Sequence, residues 1–366
     1  LPEQKVIGII ARVKMRGVSL MGLSLLAASS MAEDYVAKVY GSPAGYQYMQ
    51  VDGAGDGGMM TGFLKTMGND NHAGTFTPQG VRDLHPAGFI ESEILDSWGG
   101  TYHVGNGHSP TATPHALFWV GGGPAVDLHP PGSLYVASYG MAGYGNQQAG
   151  IVSMSDHCPT PQCGAVSSSA GVWNRTAASF RRLHCSVSYS ECQALSTDGL
   201  QQGGFAGTAV SHNRHAMIWT GPDTFGKDIH PSGCIYSEVR ANWEGQQGGV
   251  MFGAVTGSQE HAAFWTGTAQ SCVDLNPSPF LRSQVTAVRN GTQVGYGNAT
   301  NTSNRDQALM WHGNAAGWVN LHFRLPAMFW TWHSYATDID NLGNVVGYIA
   351  NSNFSLRRPV IWERQD

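Results

Sequence analysis

Charge is scarce in this sequence. Only 12% of its 366 residues are Asp, Glu, Lys or Arg, and the formal net charge is −5. Nucleic-acid binding needs a basic stripe, and none is present. No run in the body of the chain is long and apolar enough to span a membrane. Gly-x-Ser-x-Gly, phosphate-binding glycine loops and His-Glu-x-x-His are missing, and with them the commonest signatures of catalysis. The cysteines lack the short paired knuckles of structural zinc. Low charge beside 48 Gly and 11 Trp argues against disorder and suits an all-β protein with many tight turns.

The N-terminal stretch reads as an export signal. Arg12, Lys14 and Arg16 precede a short apolar core, Val18 to Ala28, and Ser30-Met31-Ala32 fits a small-residue cleavage site. Met15 reads as the start, residues 1–14 as upstream translation, and a buried N-terminal helix is the rival reading. Residues 1–32 are thus set apart from a single domain over 33–366, expected to be secreted, extracellular or periplasmic. Six cysteines fit an oxidising compartment. Proximity suggests Cys158 with Cys163, Cys185 with Cys192, and Cys234 with Cys272 as a staple between neighbouring repeats.

One module recurs. His261-Ala262-Ala263-Phe264-Trp265 is followed by Asp274-Leu275-Asn276-Pro277 and by the turn Asn290 to Tyr296. Related openings stand at His72, His115, Ser169 (degenerate), His215, Gln307 and Arg358, in steps of 43 to 54 residues. This period, with several short strands per unit, predicts a β-propeller. Residues 358–362 supply an opening strand with nothing after it, and residues 35–62 supply later strands with nothing before them. Joined, they make one more unit. The expectation is seven blades, with six or eight as alternatives, closed by pairing N-terminal strands with the C-terminal strand.

In the module, Trp is expected to fill the wedge between blades and the small Ala to permit close approach. The turn glycines, Gly245 to Gly248 and Gly291 to Gly295, are read as serving the positive φ of hairpins. Histidines recur at two positions (His85, His129, His184, His230, His322; His72, His115, His215, His261). A residue used by nearly every repeat reads as a turn or inter-blade bond rather than a site. A metal-binding ring of histidines is the alternative. Asp52/Asp56 and Asp338/Asp340 faintly suggest calcium loops without the full acidic spacing, so no cofactor is expected, with calcium the one weighed.

Function is sought where the pattern breaks: the insertion Met154 to Ser168, the loop Cys185 to Cys192, and Met328 to His333. If extended, Trp330 and Trp332 share a face. With His333, Trp243 and Trp98 they are the candidate ligand-binding residues, and inter-blade packing is the alternative. No catalytic residue and no metal ligand is assigned.

His-Ala-Ala-Phe-Trp-Thr-Gly, Val-Asp-Leu-Asn-Pro and Gln-Val-Gly-Tyr-Gly resemble the HAF-repeat family of bacterial exported proteins, over most of residues 35–366. The resemblance implies a repeat architecture and no activity. The expected function is a secreted, non-enzymatic propeller that binds a glycan, an extracellular protein or a surface, or builds an assembly. The alternative is an extracellular hydrolase or polysaccharide lyase with its site at the funnel mouth. Oligomeric state is left open.

Overall fold

The computed structural model describes residues 34–155, 168–186, 188–207, 213–300 and 304–365. The signal-like segment, Cys158 and Cys163 lie outside the described residues. The fold is an all-β propeller. Strand β1 (Tyr35–Val39) is followed by a four-stranded sheet of β2 (Tyr46–Gly55), β3 (Met59–Thr66), β4 (Asn71–Thr77) and β5 (Gly80–Asp83). A second holds β6 (Glu91–Trp98), β7 (Tyr102–His108), β8 (Pro114–Val120) and β9 (Val126–Asp127).

An eight-stranded sheet comes next. Its first half is β10 (Tyr135–Tyr144), β11 (Gln147–Met154), β12 (Ser168–Asn174) and β13 (Arg181–Arg182). Its second half is β14 (Glu191–Thr197), β15 (Gln202–Gly207), β16 (Arg214–Trp219) and β17 (Lys227–Asp228). A single parallel pair, Ser168 with Glu191, joins the halves. Two further four-stranded sheets are β18 (Cys234–Trp243) with β19 (Gln246–Gly253), β20 (Glu260–Trp265) and β21 (Val273–Asp274), and β22 (Phe280–Arg289) with β23 (Thr292–Ala299), β24 (Asp306–Trp311) and β25 (Val319–Asn320). The last holds β26 (His333–Ile339), β27 (Val345–Ala350) and β28 (Arg357–Arg364), with β1 antiparallel to β28.

All seven motif copies are strands (β4, β8, β12, β16, β20, β24, β28), but each is third from the axis rather than first. The frame expected from the sequence is therefore displaced. Residues 35–39 alone reach back to β28; residues 46–66 supply the first two strands of the sheet that contains His72.

The motif residues join neighbouring sheets. Trp119, Trp173, Trp219, Trp265, Trp311 and Trp362 are all fully buried, where truncation of such a side chain typically costs about 3–5 kcal/mol. Trp119 Nε1 donates to the Leu84 carbonyl of the preceding sheet, and Trp219 and Trp362 donate likewise to His184 and Leu321. A serine on the first strand makes the second joint. Ser237 Oγ accepts the Ala216 amide at 3.0 Å and lies 2.8 Å from His230 Nδ1. Having accepted from the amide, the hydroxyl donates to Nδ1, which leaves His230 Nε2–H to donate to the Cys234 carbonyl at 3.2 Å. Ser92, Ser138 and Ser334 bond His85, His129 and His322 in the same way, and Ser283 donates to Asn276. His72, His115, His215 and His261 bond the motif aspartate, as His215 does Asp228 at 2.8 Å, and the first three stack on the joint histidine, as His215 does on His230 at 3.9 Å.

Every first strand carries a bulge at the same level. The bulged residues are Asp52, Leu95, Met141, Leu195, Arg240, Thr286 and Thr337. The second strand must therefore approach the kinked backbone closely. A Cβ on Gly249 would stand 1.9 Å from the Glu238 carbonyl oxygen, and one on Gly295 would stand 2.0 Å from that of Gln284. Gly245 and Gly291 do have the positive φ expected of hairpins (79° and 82°). Gly248 and Gly295 do not; they are glycine for want of space.

Candidate functional site at the channel axis

The bulges open onto one cavity of ≈ 120 Å³ that takes residues from all seven first strands, β2, β6, β10, β14, β18, β22 and β26. A bulge leaves its extra residue unpaired and re-aims the side chain, and these seven positions hold five residue types. Leu95, Met141 and Leu195 make one apolar arc. Arg240, Thr286, Thr337 and Asp52 make a polar one.

Two residues before each bulge stands Gln50, Glu93, Tyr139, Gln193, Glu238, Gln284 or Tyr335, seven polar side chains. Their contacts concentrate on the polar arc. Arg240 bonds Glu238 Oε2 (3.3 Å) and Gln284, while Arg214 bonds Glu238 Oε1 at 2.5 Å. Arg357 bonds Gln50, whose amide donates to Asp52 Oδ1 at 2.8 Å. Asp52 Oδ2 is buried without a protein partner among the described residues. Burial, reinforced by the charge of Glu93, pushes the Asp52 carboxyl up to about 7, against the pull of Gln50 and Arg357. Burial raises Glu93 as well, against its bond from Asn106.

Tyrosines wall this arc. Tyr335 stacks on Tyr348 at 4.8 Å and meets Tyr296 edge-on at 4.8 Å, and its hydroxyl donates to Asp306 Oδ2 at 2.8 Å. Arg357 lies over Tyr48 (5.3 Å) and Tyr348 (5.8 Å). Beside them a second cavity of ≈ 160 Å³ is lined by Glu260, Arg282, Gln284, Tyr296, Asn298 and Asp306. A roomier groove of ≈ 370 Å³ lies between the first two sheets, around Arg82 and His103, but has no carboxylate in its lining.

At the opposite end, where first strands turn into second strands, the axis is capped. Trp98, Tyr144 and Trp243 lie within 4.2–5.7 Å of one another, and the Arg289 guanidinium sits 4.2 Å from the Trp243 ring centre. Arg289 also donates to Asn341, which donates to Asp56. Trp98 and Trp243, 145 positions apart in sequence, are thus brought into one cluster. Beneath it Asp96 accepts the Ser97 and Gly143 amides, and Asp338 accepts the Ala54 and Ile339 amides. Burial and the charge of Asp96 push Asp338 up to about 7. These oxygens serve backbone amides across sheets. Among the described residues, no group of three or more His, Cys, Asp or Glu converges as a metal site.

The other expected binding residues lie elsewhere. Trp330 caps the 3-10 turn Ala327–Phe329 with helical dihedrals, so it does not share a strand face with Trp332. Its Nε1 donates to Leu325, and its ring is 44% exposed. Trp332 packs edge-on against Phe329, with Arg358 over its ring. His333 is buried at the start of β26, 3.8 Å from Asp306.

Cys185 and Cys192 form a disulfide. Cys234 and Cys272 are free thiols and lie in one sheet and its edge rather than in two repeats, which corrects the expected staple. Sequence reasoning passed over Arg240, Glu238, Tyr335 and Arg357. Aligning the seven first strands on their joint residue brings Asp52 and Arg240 into one column with Leu95, Met141, Leu195, Thr286 and Thr337, where the module has no fixed residue.

No family model matches the chain, and no curated protein matches it. Solved structures do. A prolyl endopeptidase aligns with TM-score 0.54 at 11% identity, over 88% of this chain and 51% of that one. The β-propeller domain of the Trilobed protease from Pyrococcus furiosus, described as having an open velcro topology, aligns with TM-score 0.52 at 10% identity, over 73% and 81%. A puromycin hydrolase aligns with TM-score 0.50 at 12% identity, over 85% and 54%. The chain spans about half the length of the endopeptidase and the hydrolase. At such identities the likeness is one of fold, the β-propeller.

Proposed function

We propose that the polar arc of the axial channel is the site of a hydrolase or lyase acting on a hydroxyl-rich substrate, a glycan. One observation carries this reading. Asp52 lines the axial cavity, its buried Oδ2 has no partner among the described residues, and its carboxyl is raised to about 7 beside a second raised carboxyl, Glu93. A carboxyl that titrates near neutrality can both hold and release a proton, which is what general acid–base catalysis requires. Arg357 and Arg240 supply positive charge for a developing or resident anion. The rings of Tyr48, Tyr296, Tyr335 and Tyr348 offer faces for stacking on sugars.

This proposal moves the expected site from Trp330, Trp332 and His333 to the axis, and prefers the enzymatic alternative to a pure binder. The binding reading rests on the tyrosine wall alone. Incubation with a panel of neutral and acidic polysaccharides separates the two. New reducing ends without unsaturation mark a hydrolase and new reducing ends with unsaturated sugars a lyase, each lost in Asp52→Asn. Retention of a polysaccharide without any product supports the binder and ends the enzymatic reading.

The architecture behind the site is also part of the proposal. The two halves of the eight-stranded sheet, joined by one residue pair, act as two blades. With the five four-stranded sheets they make seven, and β1 on β28 closes the ring. The disulfide and the signal-like N-terminal stretch support export, and the repeat motifs support membership of the HAF-repeat family.

A further inference from the structure

Each sheet has a spot where the residue three before the joint residue of the first strand meets the residue two before the motif aspartate or its equivalent. In most sheets an aromatic ring fills it. Tyr135 meets Phe180 with ring centres 5.4 Å apart, and Phe280 meets Trp318 at 5.3 Å. In the sheet β18–β21 both positions are cysteine, Cys234 and Cys272, and both are free thiols. They pack in one cluster with Met251 of β19. The Cys272 thiol lies 3.8 Å from the Met251 sulfur. Three sulfur-bearing side chains from three segments thus share one cluster where neighbouring sheets place rings.

We propose that Cys234, Cys272 and Met251 form a binding site for a soft monovalent cation, Cu(I). Two thiolates and a thioether are the donor set that selects this ion over zinc, calcium or magnesium. The spacing suits it. Three sulfurs about 2.3 Å from a common ion lie roughly 4 Å apart, close to the 3.8 Å already present between Cys272 and Met251. Both thiols are only partly buried, so an ion can reach them. Burial, the partner thiol and Asp274 raise the Cys272 thiol to about 12, and burial and Asp274 raise Cys234, so both thiols hold their protons until an ion displaces them. Binding releases one proton from each thiol, and the two thiolates with Cu(I) leave one net negative charge. No redox change is involved.

The test uses the full-length protein, kept anaerobic, with Cys234 and Cys272 reduced and Cys185–Cys192 intact, titrated with Cu(I) against a chromogenic Cu(I) chelator. One Cu(I) per chain with only sulfur neighbours in X-ray absorption is the expected result. Cys234→Ser and Cys272→Ser should each abolish it, and Met251→Leu should weaken it about ten- to a hundredfold. The double variant Cys158→Ser/Cys163→Ser should bind as the parent does. Uptake that survives Cys234→Ser or Cys272→Ser overturns the proposal. So does a protein with Cys234 and Cys272 reduced that takes up no Cu(I) under these anaerobic conditions.

Discussion

Cys192 is bonded to Cys185 at the place where Ser237 bonds His230. Cys192 pairs with Ala206 at the same register step at which Ser237 pairs with Met251 and Ser92 with Gly107. Cys185 follows His184, the counterpart of His230. The disulfide therefore replaces, covalently, the hydrogen-bonded joint that Ser92, Ser138, Ser237, Ser283 and Ser334 make elsewhere. It does so next to β12, where the motif is most degenerate and the histidine–aspartate partner is missing.

Removing this disulfide should be costly. A loop of this size contributes about 2.5 kcal/mol through the unfolded chain. Cys192→Ala should lose that amount and the joint together. Cys192→Ser should recover part of it, because a serine there regains the hydroxyl of the other joints. Denaturant unfolding of the two variants measures the difference, and equal stabilities would count against the equivalence.

The ordinary joint is tested by Ser237→Ala. It strips a partner from the buried Ala216 amide and from His230, and leaving a buried donor unsatisfied costs about 1–3 kcal/mol. The loss should appear as a lowered unfolding midpoint with an unchanged slope.

The bulges predict a steep cost for one methyl group. Gly249→Ala forces a Cβ against the Glu238 carbonyl oxygen and should destabilise the fold by about 3 kcal/mol or more. Gly41→Ala, which meets nothing within 4 Å, should change stability by no more than about 0.5 kcal/mol. Thermal unfolding of the pair checks this.

Much of this frame was legible in the sequence, because each copy of the module repeats residues that do the same job. The Trp counted the third strands, and the histidines read correctly as joints. The strand order was not legible. A pattern that begins at His261 is periodic wherever the frame is drawn, so the sequence could not tell a third strand from a first. Arg240 and Asp52 were also hidden. Their roles come from a backbone bulge that shifts side chains toward the axis, and from partners some 44 and 300 positions away (Gln284 and Arg357). Trp98 and Trp243 were found by type, yet only the packing of β6 and β18 about the axial cavity places them together.

Acid should loosen the joints. Burial pushes His322 down to about 4 from 6.5, so the folded protein holds this ring neutral while the unfolded chain takes up a proton. Its contribution is therefore complete above about pH 6.5 and is lost as pH falls towards 4. The raised carboxyls of Asp52 and Asp338 act in the opposite sense between 3.8 and about 7. A variant isolates the histidine. At the equivalent position Asn276 makes both bonds, to Ser283 and to the Phe280 carbonyl. His322→Asn should keep the joint and remove its titration, so the two proteins should diverge in melting temperature below pH 6.5 and run parallel above it.

The reading of the axis as a catalytic site stands or falls on Asp52. Its carboxyl can be followed by carbon-13 NMR across pH, with Asp52→Asn identifying the resonance. The account predicts a midpoint near 7 and a shift in that midpoint when a bound glycan fills the channel. A midpoint in the ordinary carboxylate range near 4 would contradict it.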